Sequence, residues 1–311
     1  MSRRVIQNFR DGRDGFIVVA ALWILGALAA LAATYSVYIA NVAASLAVND
    51  DDIRAEALVT AAIELTAYQL TATQPQERPS RGHFRFRMDR ADVAVEFCSE
   101  AARVDLNKAS KVLLAGLFRS LGGTSDDADQ YADRIIGWRS APNSRSQDEE
   151  GSLYKAAGLD YGPRGAPFAH VGELALVLGL PPAVVERVLP YVTIYSGRSE
   201  INIRDASPEV IAALPGMTPE RLNAVLGDRD LLFEQSASTD STAGRAEATL
   251  ESSKAMRVTV RMAFDNGRAI ASQAVILIDD RAAPYRVLSW QIDSDGEPAA
   301  HRSGTRAGGN P

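Results

Sequence analysis

Between Phe16 and Val48 the chain carries no charged residue, and the first part of that run, Phe16–Ala33 (FIVVAALWILGALAALAA), is almost wholly apolar. No other feature restricts the fold as much, because roughly 20 apolar residues in a helix are enough to cross a bilayer. The run reaches that length through Tyr35, Val37, Tyr38 and Ile39. The two tyrosines suit the far interface, where an apolar ring with a polar tip is favoured. Ahead of the run, Arg3, Arg4, Arg10 and Arg13 outnumber Asp11 and Asp14, a surplus of +2 that leaves −8 on the remainder of a chain whose net charge is −6. Positive residues before a span hold the N-terminus in the cytoplasm and send everything after it across the membrane. A cleaved secretory signal is the competing reading, since Ala-x-Ala triplets occur around residues 29–33. Signal cores are typically ~7–15 apolar residues, and this longer, unbroken run favours a retained anchor.

The rest of the chain has the composition of a folded body. At 311 residues, 46% hydrophobic and 23% charged, it has room for one large or two modest domains. The acidic balance argues against a nucleic-acid binder that works by neutralising phosphates. Cys98, the single cysteine, excludes an internal disulfide and a multi-thiolate zinc site, and reads as a buried thiol beside Phe97. His83, His170 and His301 are too scattered for a histidine-rich metal centre. No G-x-S-x-G, H-E-x-x-H or phosphate-cradling glycine loop occurs, so no catalytic residue is assigned.

Beyond the span, Ile53, Ala57, Ala61 and Leu65 recur at four-residue spacing with Leu58 and Ala62 alongside, which continues the helix as an amphipathic one to about Leu70. Thr71–Gly82 is a loop by its prolines and terminal glycine. His83–Met88 and Val93–Phe97 alternate as a hairpin around Asp89–Asp92. Arg257–Phe264 and Ala269–Ile278 do the same around Asp265-Asn266-Gly267, and Tyr285–Ile292 adds a third strand. Residues 107–232 are helical in pattern. Asp126, Asp127, Asp129 and Asp133 follow Thr124-Ser125 and read as the dipole-favoured start of a helix, not as an EF-hand loop. Trp138, Trp290, Tyr161 and Phe168 read as core.

Val104–Leu117 (VDLNKASKVLLAGL) and Ile201–Leu214 (INIRDASPEVIAAL) form an internal repeat at an offset of 97 residues. Ala109/Ala206, Ser110/Ser207, Ala115/Ala212 and Leu117/Leu214 are identical, and each serine stands where it can cap the helix that follows.

The junction Asp14-Gly15-Phe16, a basic leader and then Gly-Phe before an apolar run, resembles the processing site of type IV pilins and pseudopilins. The order of further motifs is similar to the minor pseudopilin K family of type II secretion: RVDLNKAS at Arg103–Ser110, ADRIIGW at Ala132–Trp138, Tyr161–Gly179, PYVTIYS at Pro190–Ser196 and INIRDAS at Ile201–Ser207. That resemblance implies cleavage between Gly15 and Phe16 by a prepilin peptidase and methylation of Phe16. It implies an α+β fold: a pilin-like long N-terminal helix plus a small antiparallel sheet, with a large inserted α-helical domain of SAM-like or helix-hairpin-helix-like type. The divisions expected are a leader at 1–15, the transmembrane and amphipathic helix at 16–70, the first part of the head at 71–106, the helical insert at 107–232, a flexible loop at 233–254, the C-terminal strands at 255–295 and a disordered tail at 296–311. The implied function is non-enzymatic: the tip of the pseudopilus, assembled with minor pseudopilins I and J through the helix face Ile53, Ala57, Ala61 and Leu65, in contact with other inner-membrane components of the machine. The position is the inner membrane, single-pass, with the N-terminus cytoplasmic and the body periplasmic. Ala20 stands where pilins usually carry a glutamate, and a tip subunit has no neighbour ahead of it to need that charge.

Calcium is the one cofactor the resemblance raises. Family members hold it in an acidic loop after the tryptophan motif. Here Gly137 replaces the aspartate before Trp138, and Asp148, Glu149 and Glu150 are the remaining candidates, with a solvated acidic loop as the alternative. Ile203–Thr218 also resembles the helix-hairpin-helix of membrane-anchored DNA-binding receptors, which is the alternative function. Pro215-Gly216-Met217-Thr218 lacks the second glycine of that motif, and Glu220, Asp228 and Asp230 interrupt any basic face, so no nucleic-acid partner is expected. Mass spectrometry of the protein purified from membranes should find methyl-Phe16 as the first residue; a start at Thr34, or an intact Met1, would refute the prepilin reading.

Overall fold

A computed structural model describes residues 11–74, 77–141, 145–227, 247–249, 252–279 and 284–293. Two compact units divide at Ala57. The first, up to Ala57, is helical through its described part and contains Val18–Val42, a 25-residue apolar stretch with none of its surface buried. The stretch lies within α1, which runs over Asp11–Thr71. Alanine and leucine dominate its apolar part, and no proline interrupts the backbone ladder.

The second unit begins on the last turns of α1. There Leu58, Val59, Ala62, Ile63, Thr66, Ala67 and Leu70 are buried, while Ala57, Glu64, Leu65 and Tyr68 are exposed. The helix stops before Pro75, where the residue ahead of the ring is pushed out of the helical region. Arg78 Nε donates to the carbonyl of Leu70 at 2.8 Å, satisfying one of the carbonyls that a helix end leaves open.

Five antiparallel strands form the sheet: β1 (Arg81–Met88), β2 (Ala91–Ser99), β7 (Ala255–Phe264), β8 (Ala269–Ile278) and β9 (Tyr285–Asp293), in the order β1-β2-β7-β8-β9. Period-two alternation buries Val93, Val95 and Phe97 on β2, and Val258, Val260 and Met262 on β7. The buried stripe of α1 covers this apolar face, and the Tyr285 hydroxyl donates to Glu64 at 2.7 Å between β9 and the helix. Asp89 and Arg90 turn the first hairpin at positive φ (47° and 63°), the geometry of a two-residue primed turn.

Between β2 and β7 lie the helices: α2 (Lys111–Ser120), α3 (Ser125–Arg139), α4 (Arg145–Ala156), α5 (Pro182–Val188), α6 (Pro208–Ala212) and α7 (Pro219–Gly227). Two short parallel pairs accompany them, β3 (Val104–Asp105) with β4 (Val192–Thr193), and β5 (Ile201–Asn202) with β6 (Ala248–Thr249). Strand β6 falls inside the stretch expected to be a loop, because its backbone pairs with the second repeat, a partner that composition does not reveal. Residues 233–246 of that stretch, and the expected tail at 296–311, lie outside the described residues. Leu106, Leu113, Leu114, Leu117, Ile135, Tyr154 and Ile211 are fully buried in the helical core. Burying each such side chain contributes about 1.5–3 kcal/mol.

The two repeats are structurally equivalent. In each, the first polar residue accepts a hydrogen bond from the amide two residues on: Asp105 Oδ1 from Asn107 at 2.8 Å, Asn202 Oδ1 from Arg204 at 3.0 Å. The alanine amide then returns to that residue's carbonyl, Ala109 to Asp105 at 2.8 Å and Ala206 to Asn202 at 3.0 Å. The capping serine follows, with Ser110 Oγ accepting from Leu113 at 3.2 Å and Ser207 Oγ from Val210 at 3.4 Å. The copies also touch at equivalent positions. A Cβ on Gly116 would come within 2.0 Å of the Ala213 carbonyl oxygen, so α2 and α6 meet at a distance only glycine permits. Gly116→Ala should therefore lower unfolding stability by about 1–3 kcal/mol, measured by chemical denaturation in detergent; an unchanged midpoint would show that the helices do not pack this closely.

Candidate functional site

Glu100 is fully buried where the chain leaves β2 in a single 3₁₀ turn (Glu100–Ala102) and enters β3. Arg257 of β7 grips both of its carboxylate oxygens, Nε at 2.6 Å and Nη2 at 3.1 Å. Arg103 approaches at 3.4 Å, and the Thr193 hydroxyl of β4 donates to the same carboxylate. A buried carboxylate is tolerable only when its oxygens are filled by donors in this way. Burial and the neighbouring Arg257 charge both push Arg103 below the usual guanidinium value, and Arg103 Nε is held by the Pro190 carbonyl at 2.9 Å. Ser99 Oγ accepts from Ala101 and, at 2.8 Å, from Ser253 just before β7. Beside this cluster is a cavity of about 470 Å³ lined by residues of β1, β2 and β7 on one side and by Arg103, Tyr191 and Asp205 on the other.

Cys98 lines this cavity and is half-buried, not fully buried as expected. Nor does it pack beside Phe97: strand alternation sends Phe97 to the covered face of the sheet and the thiol to the other. Burial, followed by the nearby Asp205 charge, pushes the thiol up to about 11, which leaves it protonated and unreactive at neutral pH.

The motif residues of the helical part hold one another. Glu173 accepts from Trp138 Nε1 at 3.2 Å, Arg164 at 2.9 Å and the Ala169 amide at 3.1 Å. Asn107 pairs like a piece of backbone with Phe168, donating to its carbonyl at 3.0 Å and accepting from its amide at 2.7 Å. Trp138 and Phe168 are core and stack at 6.2 Å. Tyr161 is 40% exposed and Trp290 half-buried, so the core expectation fails for those two. Thr124 caps α3 by accepting from Asp127, as expected of that acidic start. In the hairpin-like segment Arg221 turns back to donate to the Gly216 carbonyl at 3.1 Å.

Of the candidate site residues, Gly15 and Phe16 lie within α1, and their side chains are outside the described residues. Ile53 is 63% exposed, Ala57 exposed, Ala61 half-buried and Leu65 40% exposed, so the four-residue stripe faces outward while Leu58 and Ala62 beside it are buried. The calcium candidates diverge. Glu150 is buried and paired with Arg134 at 2.9 Å, Glu149 is exposed, and the side chain of Asp148 is outside the described residues. Among the described residues no three metal-ligating side chains converge. The Glu150 carboxylate instead occupies the space above Gly137, where an added Cβ would lie 2.8 Å from Oε2.

A long N-terminal helix with an apolar stretch of membrane-spanning length, and a five-stranded antiparallel sheet with helices between its second and third strands in the order, make a pilin-like α+β fold. Residues 97–197 match the family model described as type II secretion system (T2SS), protein K. Over that stretch the chain is similar to protein K of type II secretion, GspK. Among solved structures, the crystal structure of the GspK-GspI-GspJ complex from the enterotoxigenic Escherichia coli type 2 secretion system is similar: TM-score 0.55 and 16% identity, covering 79% of this chain and 98% of that one. At that identity the likeness establishes the fold. No curated protein sequence matches.

Burial, only partly offset by Arg134, pushes the Glu150 carboxyl above its ordinary value. The folded state then binds this proton more tightly than the unfolded chain, so the stability linked to it is complete below the ordinary carboxylate range. It is lost as pH rises through the raised value. Glu150→Gln should flatten that decline in a series of unfolding curves across pH; parallel curves for the two proteins would show that Glu150 does not titrate in this way.

Proposed function

We propose that this chain is a minor pseudopilin that forms the tip of the type II secretion pseudopilus with minor pseudopilins I and J and supports pseudopilus assembly and protein export. Val18–Val42 anchors it in the inner membrane, with the N-terminus in the cytoplasm and the body in the periplasm. Prepilin peptidase removes residues 1–15, and Phe16 is methylated. The inserted helical body, 107–232, caps the assembly and blocks a further subunit above it.

The observation that carries the reading is the outward stripe Ile53, Ala57, Ala61 and Leu65 on a helix whose opposite side is already buried. An apolar stripe that continues a membrane helix and is left uncovered by its own fold suits packing against like helices. The similar complex, in which GspK is found with GspI and GspJ, supplies the partners. The acidic residues Glu220, Asp228 and Asp230 in the downstream segment disfavour the nucleic-acid alternative.

The full chain, co-expressed with I and J homologues and extracted in detergent, should co-purify with both. Ala61→Glu combined with Leu65→Glu should weaken that association by about tenfold to a hundredfold without altering the unfolding midpoint, because neither residue is fully buried in the fold. Failure of the unmodified chain to retain either partner would overturn the tip assignment.

A further inference from the structure

Among the described residues, strand β1 is an edge of the sheet, paired only with β2. The Ser99 amide donates to the Ser80 carbonyl at 2.7 Å, one rung beyond the Arg81–Cys98 pair. In an antiparallel ladder, hydrogen-bonded and non-hydrogen-bonded pairs alternate. The amides and carbonyls of residues 81, 83, 85 and 87 therefore point away from β2, along the open edge. Those residues are Arg81, His83, Arg85 and Arg87, and all four are exposed on one face.

The acids of β2 on that face are already engaged. Asp92 pairs with Arg87 at 2.8 Å, and Glu96 pairs with Arg261 at 3.0 Å. Arg87 has Asp265 as well, at 2.7 Å. Among the described residues, Arg81 and Arg85 have no acidic partner within ion-pair distance, on a chain whose overall charge is −6. On the other face of the same edge, Phe84 and Phe86 are half-buried and stacked at 6.3 Å. The row of basic residues runs into the 470 Å³ cavity, which Arg81 and His83 line together with Arg103 and Arg257.

We infer that the open edge of β1 is a docking site for an extended acidic segment of a partner protein, which adds as a sixth strand. Its alternate Asp or Glu side chains stand opposite Arg81, His83 and Arg85, and its intervening apolar side chains cover Phe84 and Phe86. Backbone pairing supplies the affinity and the alternating pattern the selectivity, because directly opposed residues on a sheet face have Cβ atoms about 4.5–5.5 Å apart. The same arginines repel a second copy of this edge, so self-pairing is disfavoured. The site uses none of the α1 stripe, so it goes beyond the tip assignment and does not rest on it.

The test uses the full chain in detergent and a fluorescent seven-residue peptide, Thr-Glu-Val-Glu-Val-Glu-Thr, capped at both ends. The peptide should bind with an affinity that falls as salt rises, and should slow hydrogen exchange at the amides of His83, Arg85 and Arg87. Its lysine counterpart should not bind. Arg81→Glu with Arg85→Glu should weaken binding by about tenfold or more while leaving the unfolding midpoint unchanged, since both side chains are exposed. A peptide N-methylated at alternate amides, which keeps the charges but cannot pair as a strand, should lose affinity. Absence of binding, undiminished binding to the double variant or by the methylated peptide, or protection at β9 in place of β1 would each overturn the inference.

Discussion

A carboxylate with no exposed surface holds the two halves of the head together. Glu100 sits one residue past the end of β2, and its oxygens are filled from β7 by Arg257, from the following turn by Arg103 and from β4 by Thr193. Removing a charge this deep from water costs several kcal/mol, and only a complete set of donors offsets it. The carboxylate therefore does more to specify where the helical part is attached than to add net stability. Every element from β3 to β6 leaves and rejoins the sheet beside it. Ser99 and Ser253, hydrogen-bonded to each other across the exit and the return, close the same neck.

Beyond that neck, the helical part is organised around its own repeat. Two copies of one strand-turn-helix entry, each closed by a side chain that mimics the backbone and by a capping serine, bring α2 and α6 together at Gly116 and Ala213. The other motif residues are held in the same spirit. Glu173 gathers Trp138, Arg164 and Ala169, and Asn107 stitches Phe168 to the first repeat. These motifs serve architecture. Among the described residues, the outward stripe of α1 and the outer edges of the sheet stay uncovered.

Much of this was legible from residue order. The apolar anchor, the amphipathic continuation, both hairpins and the third C-terminal strand follow from periods of 3.6 and 2 that need only neighbouring residues. Strand β1 begins two residues before the expected start at His83, because Arg81 and Gly82 pair with Cys98 and Phe97 on a strand already in place. Adjacency in sequence also says little about where Glu150 goes. Its carboxylate is buried against Arg134, 16 residues earlier in the chain.

The sequence by itself determined the long apolar N-terminal helix, the α+β class, the order of elements and the equivalence of the two repeats. All of these rest on hydropathy, charge and capping patterns that act over a few residues. Only the tertiary structure decided that Glu100 would be a junction, that Cys98 would face a cavity and not Phe97, and that Gly116 would lie against Ala213. Those outcomes depend on groups as far apart as the 157 residues between Glu100 and Arg257, brought together by packing that no local pattern encodes.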